Sequence, residues 1–424
     1  MTRVVMKFGG TSVADMDRIR KVAQFVQREV DSGNNVVVVV SAMSGQTNHL
    51  VDLCEQAGPS KISLDAQHCE YDAIVATGEQ VTSGLLALVL QQNGYKARSW
   101  QGWQIPLQTD MAHAKARITA IPDTNLGPAI DGGQIAVVAG FQGIAEDNRI
   151  ATLGRGGSDT TAVALAAAIG AERCDIYTDV DGVYTTDPRI TKKAQRIPKI
   201  SYEEMLEMAS VGAKVLQTRS VELAMAHKVK LRVLSSFEDP DIAIAAQLKG
   251  TTGTVICDED ELMEQQIVSG VTPSKDEAKI SLIAVPNEPG RAARIFILLA
   301  EANVNVDMII QSPARTKDAA NISFTMNVQD IARAADILEN AKDEIGFQEL
   351  TADNSVAKVS VIGVGMKSHA GVASIMFQTL AERGINIHNI STSEIKISVL
   401  IDSEYTELAV RALHHAYGLD AAAE

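Results

Sequence analysis

An internal repeat in the last third of the chain restricts its fold more than any other feature of the sequence. The segment Ile280-Ser-Leu-Ile-Ala-Val285 returns 79 residues later as Val359-Ser-Val-Ile-Gly-Val364. In each copy a glycine-bearing turn and an amphipathic helical pattern follow, and then Val304-Asn-Val306 or Ile385-Asn-Ile387 enters a further strand. The order β-α-β-β-α in each copy predicts two ferredoxin-like modules, with the topology βαββαβ when complete.

The two copies differ in the residues left for their last strand. The first copy can end on a fourth strand near Gly346–Leu350, whereas little of the chain follows the predicted helix Thr406–Tyr417 in the second. A three-stranded sheet would leave an edge open. We therefore expect a strand from before the first copy, either Thr254–Cys257 or Ile267–Val271, to cross over and complete the second module.

The first 235 residues alternate between β-branched runs and helical patterns. This alternation predicts an α/β fold, an αβα sandwich around a mostly parallel sheet, and small aliphatic residues suit strands covered by helices on both faces. The expected domain boundaries are 1–250 for this sandwich, 251–266 for a linker able to donate a strand, 267–351 for the first module and 352–424 for the second. Predicted strands are Val4–Phe8, Val36–Ser41, Ile135–Ala139, Asp175–Thr178 and Lys230–Leu234, and predicted helices are Met16–Asp31, Gly78–Asn93, Thr160–Ile169, Tyr202–Ala209 and Val215–Ala226.

Charge and composition narrow the class of protein. The net charge of −15 argues against a nucleic-acid or anionic-membrane partner, because both need a basic surface. The four cysteines show no CxxC pair and no histidine at metal-binding spacing, which is typical of reduced thiols. The first apolar run is short and is broken by Lys7, and no stretch approaches the roughly 18 apolar residues of a membrane span. We expect a soluble, cytoplasmic protein.

Two segments with small polar residues follow predicted strands. Lys7-Phe8-Gly9-Gly10 turns from strand to helix, where glycines let backbone N–H groups approach an anion and a lysine suits phosphate oxygens. The lysine precedes the glycines, so this is not the Walker pattern, and a tight turn with a surface lysine is the alternative. Ser41–Thr47 follows a run of five valines and so lies at the carboxyl end of a predicted strand, where open α/β sheets bind their ligands. The same small polar residues are equally typical of a helix cap.

Three further segments carry candidate binding groups. An anion-binding nest in front of an apolar helix is predicted for Thr152-Leu-Gly-Arg155-Gly-Gly-Ser158-Asp159. An arginine between glycines is hard to explain by packing alone, which favours a binding role for Arg155. Tyr177–Arg189 is dense in turn formers and polar groups and suits a nucleotide, with ordinary turn chemistry as the alternative. Lys214 in Gly-Ala-Lys-Val-Leu is a second candidate phosphate lysine, although most helical lysines are only solvated.

In order along the chain, the motifs KFGGTS, SAMSGQTN, TGEQ, TLGRGGSD, YTDVDGVYTTDPR and GAKVL closely resemble those of aspartate kinases. The resemblance extends over essentially the whole chain, and the C-terminal repeats resemble ACT modules. It implies a monofunctional aspartate kinase of the amino-acid kinase family, which phosphorylates L-aspartate with ATP at the head of lysine, threonine and methionine synthesis. A fused dehydrogenase is not expected, since only seven residues follow Tyr417.

The resemblance also implies a role for each matching residue. Lys7, Asp159 and Lys214 form the catalytic group, in which Lys7 stabilises the transferring phosphoryl group. Glu79 meets the α-ammonium of aspartate and Arg155 its carboxylate. The ATP-binding residues implied are Lys7, Phe8, Gly9, Gly10, Thr178, Asp179, Tyr184, Arg189 and Lys214, and the substrate-binding residues are Ser41, Thr47, Glu79, Phe141, Arg155, Ser158 and Asp159.

The reaction needs no strong general base, because the attacking carboxylate is already ionised at neutral pH. It needs alignment and charge neutralisation, supplied by lysines and by Mg²⁺ bound with ATP, and no metal site built from side chains alone is expected. A Ser/His/Asp or Cys/His arrangement is accordingly not required.

The paired modules imply feedback inhibition by lysine, threonine or both. In ACT modules, effectors bind between the glycine-bearing turn and the following strand, and capping of helices is the alternative explanation for these turns. A homo-oligomer formed through the modules is expected, and an internal start before Met263 would yield a separate regulatory subunit. The effector residues implied are Asn287, Pro289, Gly290, Ala292, Asn305, Asp307, Gln311, Ser374, Ile387 and Ser393.

Two other functions compete with this one. A kinase of the same fold acting on glutamate, N-acetylglutamate or a nucleotide usually lacks the tandem modules, and the Arg155 loop with Glu79 favours a free amino acid with a second carboxylate. A non-catalytic amino-acid sensor is disfavoured because Lys7, Asp159 and Lys214 are all present.

Overall fold

The computed structural model describes residues 2–121, 126–212, 215–242, 252–262, 267–314, 318–369 and 371–420. The chain divides into two compact units. The first comprises residues 1–183, 196–209 and 214–263, and the second comprises 184–195, 210–213 and 264–424. Two short segments of the N-terminal region therefore belong to the unit that contains the repeat, which the expected boundary at residue 250 did not anticipate.

An eight-stranded sheet, in the order β10-β12-β11-β9-β1-β2-β6-β3, is the centre of the first unit. Its pairs are parallel from β11 to β3, while β12 runs antiparallel to β11 and parallel to β10. The predicted mostly parallel sheet is confirmed. The strands of this unit are β1 (Arg3–Phe8), β2 (Asn35–Val40), β3 (Ala97–Trp100), β4 (Gln108–Thr109), β5 (Ile118–Ala120), β6 (Ile135–Ala139), β7 (Gln142–Ile144), β8 (Ile150–Thr152), β9 (Arg173–Thr178), β10 (Lys199–Ser201), β11 (Leu231–Ser235) and β12 (Thr254–Cys257).

Helices cover this sheet. The helix Met16–Asp31 begins where the Asp15 side chain accepts a hydrogen bond from the Arg18 amide, and its apolar face packs on the valines of β1 and β2. The valines bury completely because the parallel strands are covered on both faces. The α-helices of the first unit are Met16–Asp31, Gln46–Ala57, Leu64–Val75, Thr77–Gln92, Leu126–Asp131, Gly157–Ala168, Tyr202–Ser210 and Thr218–His227, with 3₁₀ turns at Gly10–Val13 and Glu259–Glu261.

A second, four-stranded sheet in the order β5-β4-β7-β8 lies in the same unit. Its strands are two or three residues long, so they carry no periodic pattern that sequence analysis can detect. The stretch Leu64–Gln92 is long and apolar enough to cross a membrane by length and composition. Half of its most apolar window is buried, and its second helix contacts β3, β6 and the helix Met16–Asp31 in the core of this unit.

The second unit contains both copies of the repeat. The first copy forms a sheet in the order β15-β16-β14-β17 and the second a sheet in the order β13-β18-β20-β19. The strands are β13 (Gly270–Ser274), β14 (Glu277–Pro286), β15 (Val306–Pro313), β16 (Ala319–Asn327), β17 (Glu349–Asp353), β18 (Val356–Ile362), β19 (Asn389–Thr392) and β20 (Lys396–Asp402). The helices are Arg291–Glu301, Ile331–Asn340, Lys342–Ile345, Val372–Glu382 and Thr406–Ala416, with 3₁₀ turns at Val328–Asp330, Val364–Ser368 and Ser403–Tyr405.

The predicted strand crossover is confirmed, and the structure selects between its two candidates. β13 precedes the first module in sequence but pairs antiparallel with β18 of the second, from Gly270↔Ile362 to Ser274↔Lys358. The other candidate, Thr254–Cys257, is β12 of the eight-stranded sheet, because its partners there are β10 and β11. A linker strand from 251–266 therefore does not reach the second module, and the first module's own sheet begins at Glu277 rather than at residue 267.

The two modules repeat one another in detail. Gly290 and Gly371 both have left-handed backbones, with φ of 93° and 104°, immediately before the first helix of each module. A buried hydroxyl pair also recurs. Ser281 lies 2.8 Å from Ser323 in the first sheet, and Ser360 lies 2.7 Å from Ser398 in the second, in each case between the Oγ atoms. The repeat seen in the sequence is therefore a structural repeat.

Candidate active site

Five strand ends meet at one edge of the eight-stranded sheet, which we call the carboxyl edge. The carboxyl ends of β1, β2, β6, β9 and β11 lie there because these neighbouring strands run parallel. Backbone hydrogen bonds continue beyond the strands and fix the loops. The Gly9 amide donates to the Tyr177 carbonyl over 3.2 Å, and the Ser41 amide donates to the Phe8 carbonyl over 3.1 Å.

Lys7 and Asp159 form a buried ion pair at this edge. Lys7 lies next to the last residue of β1, and Asp159 lies in the first turn of the helix Gly157–Ala168. The lysine Nζ is 2.6 Å from the Asp159 Oδ1, and each side chain is about one-tenth exposed. A Cβ added at Gly9 would lie 3.4 Å from this Nζ, so glycine leaves room beside the ammonium. The arrangement presents an oriented cation next to the loop of Gly9 and Gly10, which we call the glycine loop. Such a cation suits a phosphoryl group.

Close backbone contacts hold the glycine loop. A Cβ at Gly10 would lie 3.0 Å from the Ala42 carbonyl oxygen, so the loop after β1 packs directly on the loop after β2. The Ser236 hydroxyl donates to the Ser12 Oγ over 2.7 Å, which ties the same loop to the end of β11. Phe8 is fully buried and stacks on Tyr177. Its side chain is a core group, and only its backbone is available to a ligand.

Glu79 is a buried carboxyl group with one oxygen left unpaired. It lies in the first turn of the helix Thr77–Gln92 and is 3% exposed. Its Oε1 accepts a hydrogen bond from the Ala42 amide over 2.9 Å, while Oε2 has no partner among the described residues. Burial raises the pKa of Glu79 from 4.5 to about 7, against the opposing effect of backbone hydrogen bonds. An unpaired buried carboxylate is costly unless a cation meets it.

The loop that carries Arg155 has two left-handed glycines, Gly154 and Gly156, each with φ of 75°. Arg155 itself is exposed, and no hydrogen bond or ion pair joins it to the described residues. The glycines direct the chain so that Arg155 projects outward, where its guanidinium is available for a bidentate bond to a carboxylate.

Phe141 and Ser158 lie against the base of this loop. Phe141 has φ of 71°, and a Cβ at Gly157 would come 2.9 Å from its ring. Ser158 packs on Gly140, where an added Cβ would meet the serine Oγ at 2.9 Å. The structure therefore brings Phe141, Arg155, Ser158 and Asp159 into one continuous region, and their role in binding substrate stays a prediction.

Sequence analysis did not identify the residues that support the Arg155 loop. Asp72 is fully buried, accepts a hydrogen bond from the Thr152 hydroxyl at the start of the loop, and lies 2.9 Å from the His113 Nδ1. Arg219 donates to the Leu153 carbonyl over 2.7 Å. These contacts join residues separated by 41 to 80 positions, and no local pattern signals them.

The remaining candidates are placed as follows. Ser41 follows β2, Thr47 lies in the helix Gln46–Ala57, and Thr178 ends β9, where its hydroxyl donates to Asp179 over 3.0 Å. Tyr184 and Arg189 belong to the second unit, and Arg189 is exposed and paired with Asp187. Lys214 lies outside the described residues. Within the described ranges no group of three acidic, histidine or cysteine side chains is placed to hold a metal ion.

Asp307 and Gln311, among the predicted effector residues, lie on β15. Gln311 Nε2 is 3.4 Å from the Asn287 Oδ1 on the glycine-bearing turn, a contact that joins turn and strand as the effector hypothesis requires. Asp307 receives a hydrogen bond of 2.6 Å from Lys358 of the second module. Burial acts to raise the pKa of Asp307, but the bond and charge of Lys358 outweigh it, so that pKa lies below its usual value.

The other predicted effector residues lie on the helix starts and loops of the two modules. Ser374 lies in the helix Val372–Glu382, the side chain of Ile387 packs on the core of the second module, and the Ser393 amide donates to the Lys396 carbonyl. Pro289, Gly290, Ala292 and Asn305 flank the helix Arg291–Glu301 or lie within it.

Models of known families match the chain in three places. The amino acid kinase family matches residues 2–235, and ACT domain models match residues 280–346 and 359–417. Fold and site therefore define an amino acid kinase with two ACT domains.

The chain belongs to the aspartate kinase family. It is 51% identical to an aspartate kinase of Stutzerimonas stutzeri over 423 residues, which cover 100% of this chain and 99% of that protein. It is 45% identical to an aspartokinase of Mycolicibacterium smegmatis, with 99% and 97% covered. Aspartokinase III of E. coli in complex with aspartate and ADP has a similar structure, with a TM-score of 0.78 and 27% identity over 97% of this chain and 99% of that one. The resemblance inferred from the six motifs is confirmed.

Proposed function

We propose that this aspartate kinase transfers the γ-phosphoryl group of ATP to the side-chain carboxylate of L-aspartate, giving 4-phospho-L-aspartate. This is the first step of lysine, threonine and methionine synthesis. Two observations carry the proposal: the buried carboxyl group of Glu79 has one oxygen without a partner among the described residues, and the exposed Arg155 makes no ion pair with them. Together these groups offer one anion and one cation, the complement of an amino acid with an ammonium group and carboxylates.

Glu79 binds the α-ammonium group, because its Oε2 can accept a hydrogen bond that none of the described residues donates. Arg155 binds a carboxylate of aspartate with two parallel hydrogen bonds. The pocket excludes a neutral or N-acylated amine, since an acyl group removes the positive charge that compensates buried Glu79. The other residues proposed to line the pocket are Ser41, Thr47, Phe141, Ser158 and Asp159.

Lys7 stabilises charge on the transferring phosphoryl group, and Asp159 holds the lysine Nζ in position through the ion pair of 2.6 Å. Gly9 and Gly10 keep the phosphate loop free of side chains, and Lys214 supplies a second cation. Mg²⁺ bound with ATP neutralises phosphate charge, and such ions are held mainly by phosphates and one or two carboxylates. Asp159, which lies beside Lys7 at the carboxyl edge, is the carboxylate that would contact such an ion. The remaining residues proposed to contact ATP are Phe8 through its backbone, Thr178, Asp179, Tyr184 and Arg189.

The two ACT modules bind lysine, threonine or both and reduce activity. A solved E. coli aspartokinase III in complex with lysine and aspartate supports this assignment, at a TM-score of 0.75 and 26% identity. Asn287 and Gln311, already in contact, lie where effector binding between turn and strand is proposed. The protein acts in the cytoplasm as a homo-oligomer assembled through its modules, with a separately translated regulatory subunit as a variant of that assembly.

A substrate comparison tests the proposal. ADP formation is measured with ATP, Mg²⁺ and aspartate, glutamate or N-acetylglutamate, with and without lysine plus threonine. We expect turnover with aspartate, little with the others, and inhibition by the effectors. Lys7→Ala, with unchanged circular dichroism, should lower turnover about a thousandfold because a charge-stabilising group is lost. Preference for glutamate would favour another kinase of this fold, and no turnover with any substrate would favour an amino-acid sensor.

A further inference from the structure

The segment 184–195 belongs to the second unit, although it follows β9 of the eight-stranded sheet in sequence. It carries Tyr184 and Arg189, which are proposed above to contact ATP. The segment is closed at its base, since the Thr185 amide donates to the Gln195 carbonyl over 2.9 Å and the Gln195 amide donates to the Thr185 Oγ1 over 3.0 Å. We call this segment the nucleotide loop.

The crossover strand holds one side of the nucleotide loop. The Val271 amide of β13 donates to the Thr185 carbonyl over 2.8 Å. Ile190 packs on the apolar core of the second module, among the residues that β13 and its neighbours bury. The segment just before Lys214 meets the same strand, because a Cβ at Gly212 would lie 2.5 Å from the Pro273 carbonyl oxygen. The strand that completes the second module therefore contacts the chain at two places next to proposed ATP-binding residues.

A buried chain of side-chain hydrogen bonds holds the other side. The Thr185 Oγ1 lies 2.8 Å from the His414 Nε2, and the His414 Nδ1 lies 2.8 Å from the Asp420 Oδ1. Asp420 accepts, so Nδ1 of His414 carries a proton, and in the neutral imidazole Nε2 then accepts from the Thr185 hydroxyl. That hydroxyl in turn accepts from Gln195. Each donor along this path has an acceptor, and both Thr185 and His414 are buried.

Asp420 anchors the loop a second time. Its Oδ2 lies 2.8 Å from the Nζ of Lys193, which is on the nucleotide loop, and 2.7 Å from the Nδ1 of His415. The loop is thus joined to the end of the helix Thr406–Ala416 at Thr185 and at Lys193. Ile190 of this loop packs on the core but the exposed Arg189 does not, so the position of Arg189 depends on the anchors of the loop.

We infer that the second ACT module positions the nucleotide loop through Thr185, His414 and Asp420, and that these positioning residues set the affinity for ATP. The inference rests on the proposed contact of Tyr184 and Arg189 with ATP. The second module is then a structural part of the nucleotide-binding apparatus as well as a regulatory one.

The test uses the full-length enzyme and compares Thr185→Val and His414→Phe with wild type. Both variants remove hydrogen bonds of the chain while keeping a buried side chain of similar shape. We expect the KM for ATP and the Kd for a non-hydrolysable ATP analogue to rise about tenfold, the size of effect expected when a buried hydrogen bond is lost. kcat at saturating ATP and the KM for aspartate should stay within about twofold.

Two controls separate positioning from general destabilisation. Thr185→Ser keeps the hydroxyl and should restore the wild-type KM for ATP. Ser360→Ala removes a buried hydroxyl pair of the same module, in which the partner is Ser398 rather than a residue of the nucleotide loop, and it should lower the melting temperature without changing that KM. If Ser360→Ala raises the KM for ATP as much as Thr185→Val does, the effect is general and the inference is wrong.

A further variant distinguishes the inference from the proposed function. Arg189→Ala should raise the KM for ATP while aspartate turnover persists. If it does so and both Thr185→Val and His414→Phe bind ATP normally, the inference fails and the proposed function stands. If Arg189→Ala also binds ATP normally, the nucleotide loop does not contact ATP and the inference fails with that assignment. Absence of aspartate-dependent ADP formation in the wild type would contradict the proposed function itself.

Discussion

At the amino ends of β9 and β11, Asp175 is fully buried between two arginines. It accepts two hydrogen bonds of 2.7 Å from Arg232 and one of 3.1 Å from Arg173, and Arg173 also pairs with Glu29. At the carboxyl edge of the same sheet, the buried Glu79 has one oxygen without a partner and Arg155 is unpaired in the described chain. Paired buried charges stabilise the free fold, whereas unpaired ones are satisfied only by a ligand. Lys7 and Asp159 are paired at the carboxyl edge as well, so the unpaired Glu79 oxygen and Arg155, rather than a lack of ion pairs, distinguish the functional end of the sheet from the structural one.

The largest effect is expected from removing Asp175. Asp175→Ala leaves Arg173 and Arg232 next to each other without their shared carboxylate, so the free energy of unfolding should fall by about 4 kcal/mol. Urea unfolding of the variant measures this. The matched control is Asp131→Ala, whose carboxylate pairs with Arg3 at the surface and whose loss should cost less than about 1 kcal/mol. Equal losses in the two variants would show that burial does not distinguish these pairs.

A smaller effect is expected from Lys358, which joins the two ACT modules. Its Nζ lies 2.8 Å from Glu277 and 2.6 Å from Asp307, and it is 4% exposed. Lys358→Ala leaves Glu277 buried without this cation, so the free energy of unfolding of the second unit should fall by about 3 kcal/mol. The exposed pair of Lys275 with Glu407 provides the control Lys275→Ala, for which thermal unfolding should hardly change. A loss below about 1 kcal/mol in Lys358→Ala would contradict the prediction.

Substitution of Glu79 should stabilise the protein rather than destabilise it, and the direction of this effect follows from the pKa of Glu79. The folded pKa of about 7 lies above the ordinary 4.5, so folding favours the protonated form and stability falls as pH rises from 4.5 to about 7. Glu79→Gln removes this cost and should stabilise the ligand-free protein at pH 8 by about 2 kcal/mol. The same change should raise the KM for aspartate at least about tenfold. Destabilisation at pH 8, measured by urea unfolding, would show that Glu79 has a structural partner.

The smallest effect on stability is expected from Gln311→Ala on β15. The residue is exposed and its contact with Asn287 is long, so the free energy of unfolding should change by less than about 0.5 kcal/mol. Inhibition by lysine plus threonine should weaken about tenfold, with kcat and both KM values unchanged. Gln378→Ala, an exposed glutamine paired with Glu382, is the control and should remain fully inhibited. Unchanged inhibition in Gln311→Ala would place the effector elsewhere.

The sequence predicted those parts of the fold that have a long or repeated pattern. The helix Met16–Asp31 and β6 agree with their predicted bounds, and the repeat predicted a crossover strand, because an open edge in one copy is visible in the chain itself. The small sheet β5-β4-β7-β8 was missed since its strands are too short for any periodicity. The sequence did not show which of two segments forms the crossover strand, because both candidates are short β-branched runs.

The site was predictable where glycines and charged residues occur in one segment. The pairing of Lys7 with Asp159 follows from two motifs that the parallel sheet brings together. The support of the Arg155 loop by Asp72 and His113 was not predictable, because it depends on contacts between distant parts of the chain. Nor did sequence alone show that the nucleotide loop belongs to the regulatory unit, since it continues directly from β9.

Proton release on aspartate binding tests the central claim most directly. At pH 7 about half of the Glu79 carboxyl groups are protonated, and binding of an ammonium group requires the ionised form. Calorimetric titrations of aspartate in buffers of different ionisation enthalpy should therefore show release of about half a proton per site at pH 7, and none with Glu79→Gln. Absence of release in the wild type, or the same release in the variant, would contradict the claim that Glu79 holds the aspartate ammonium group.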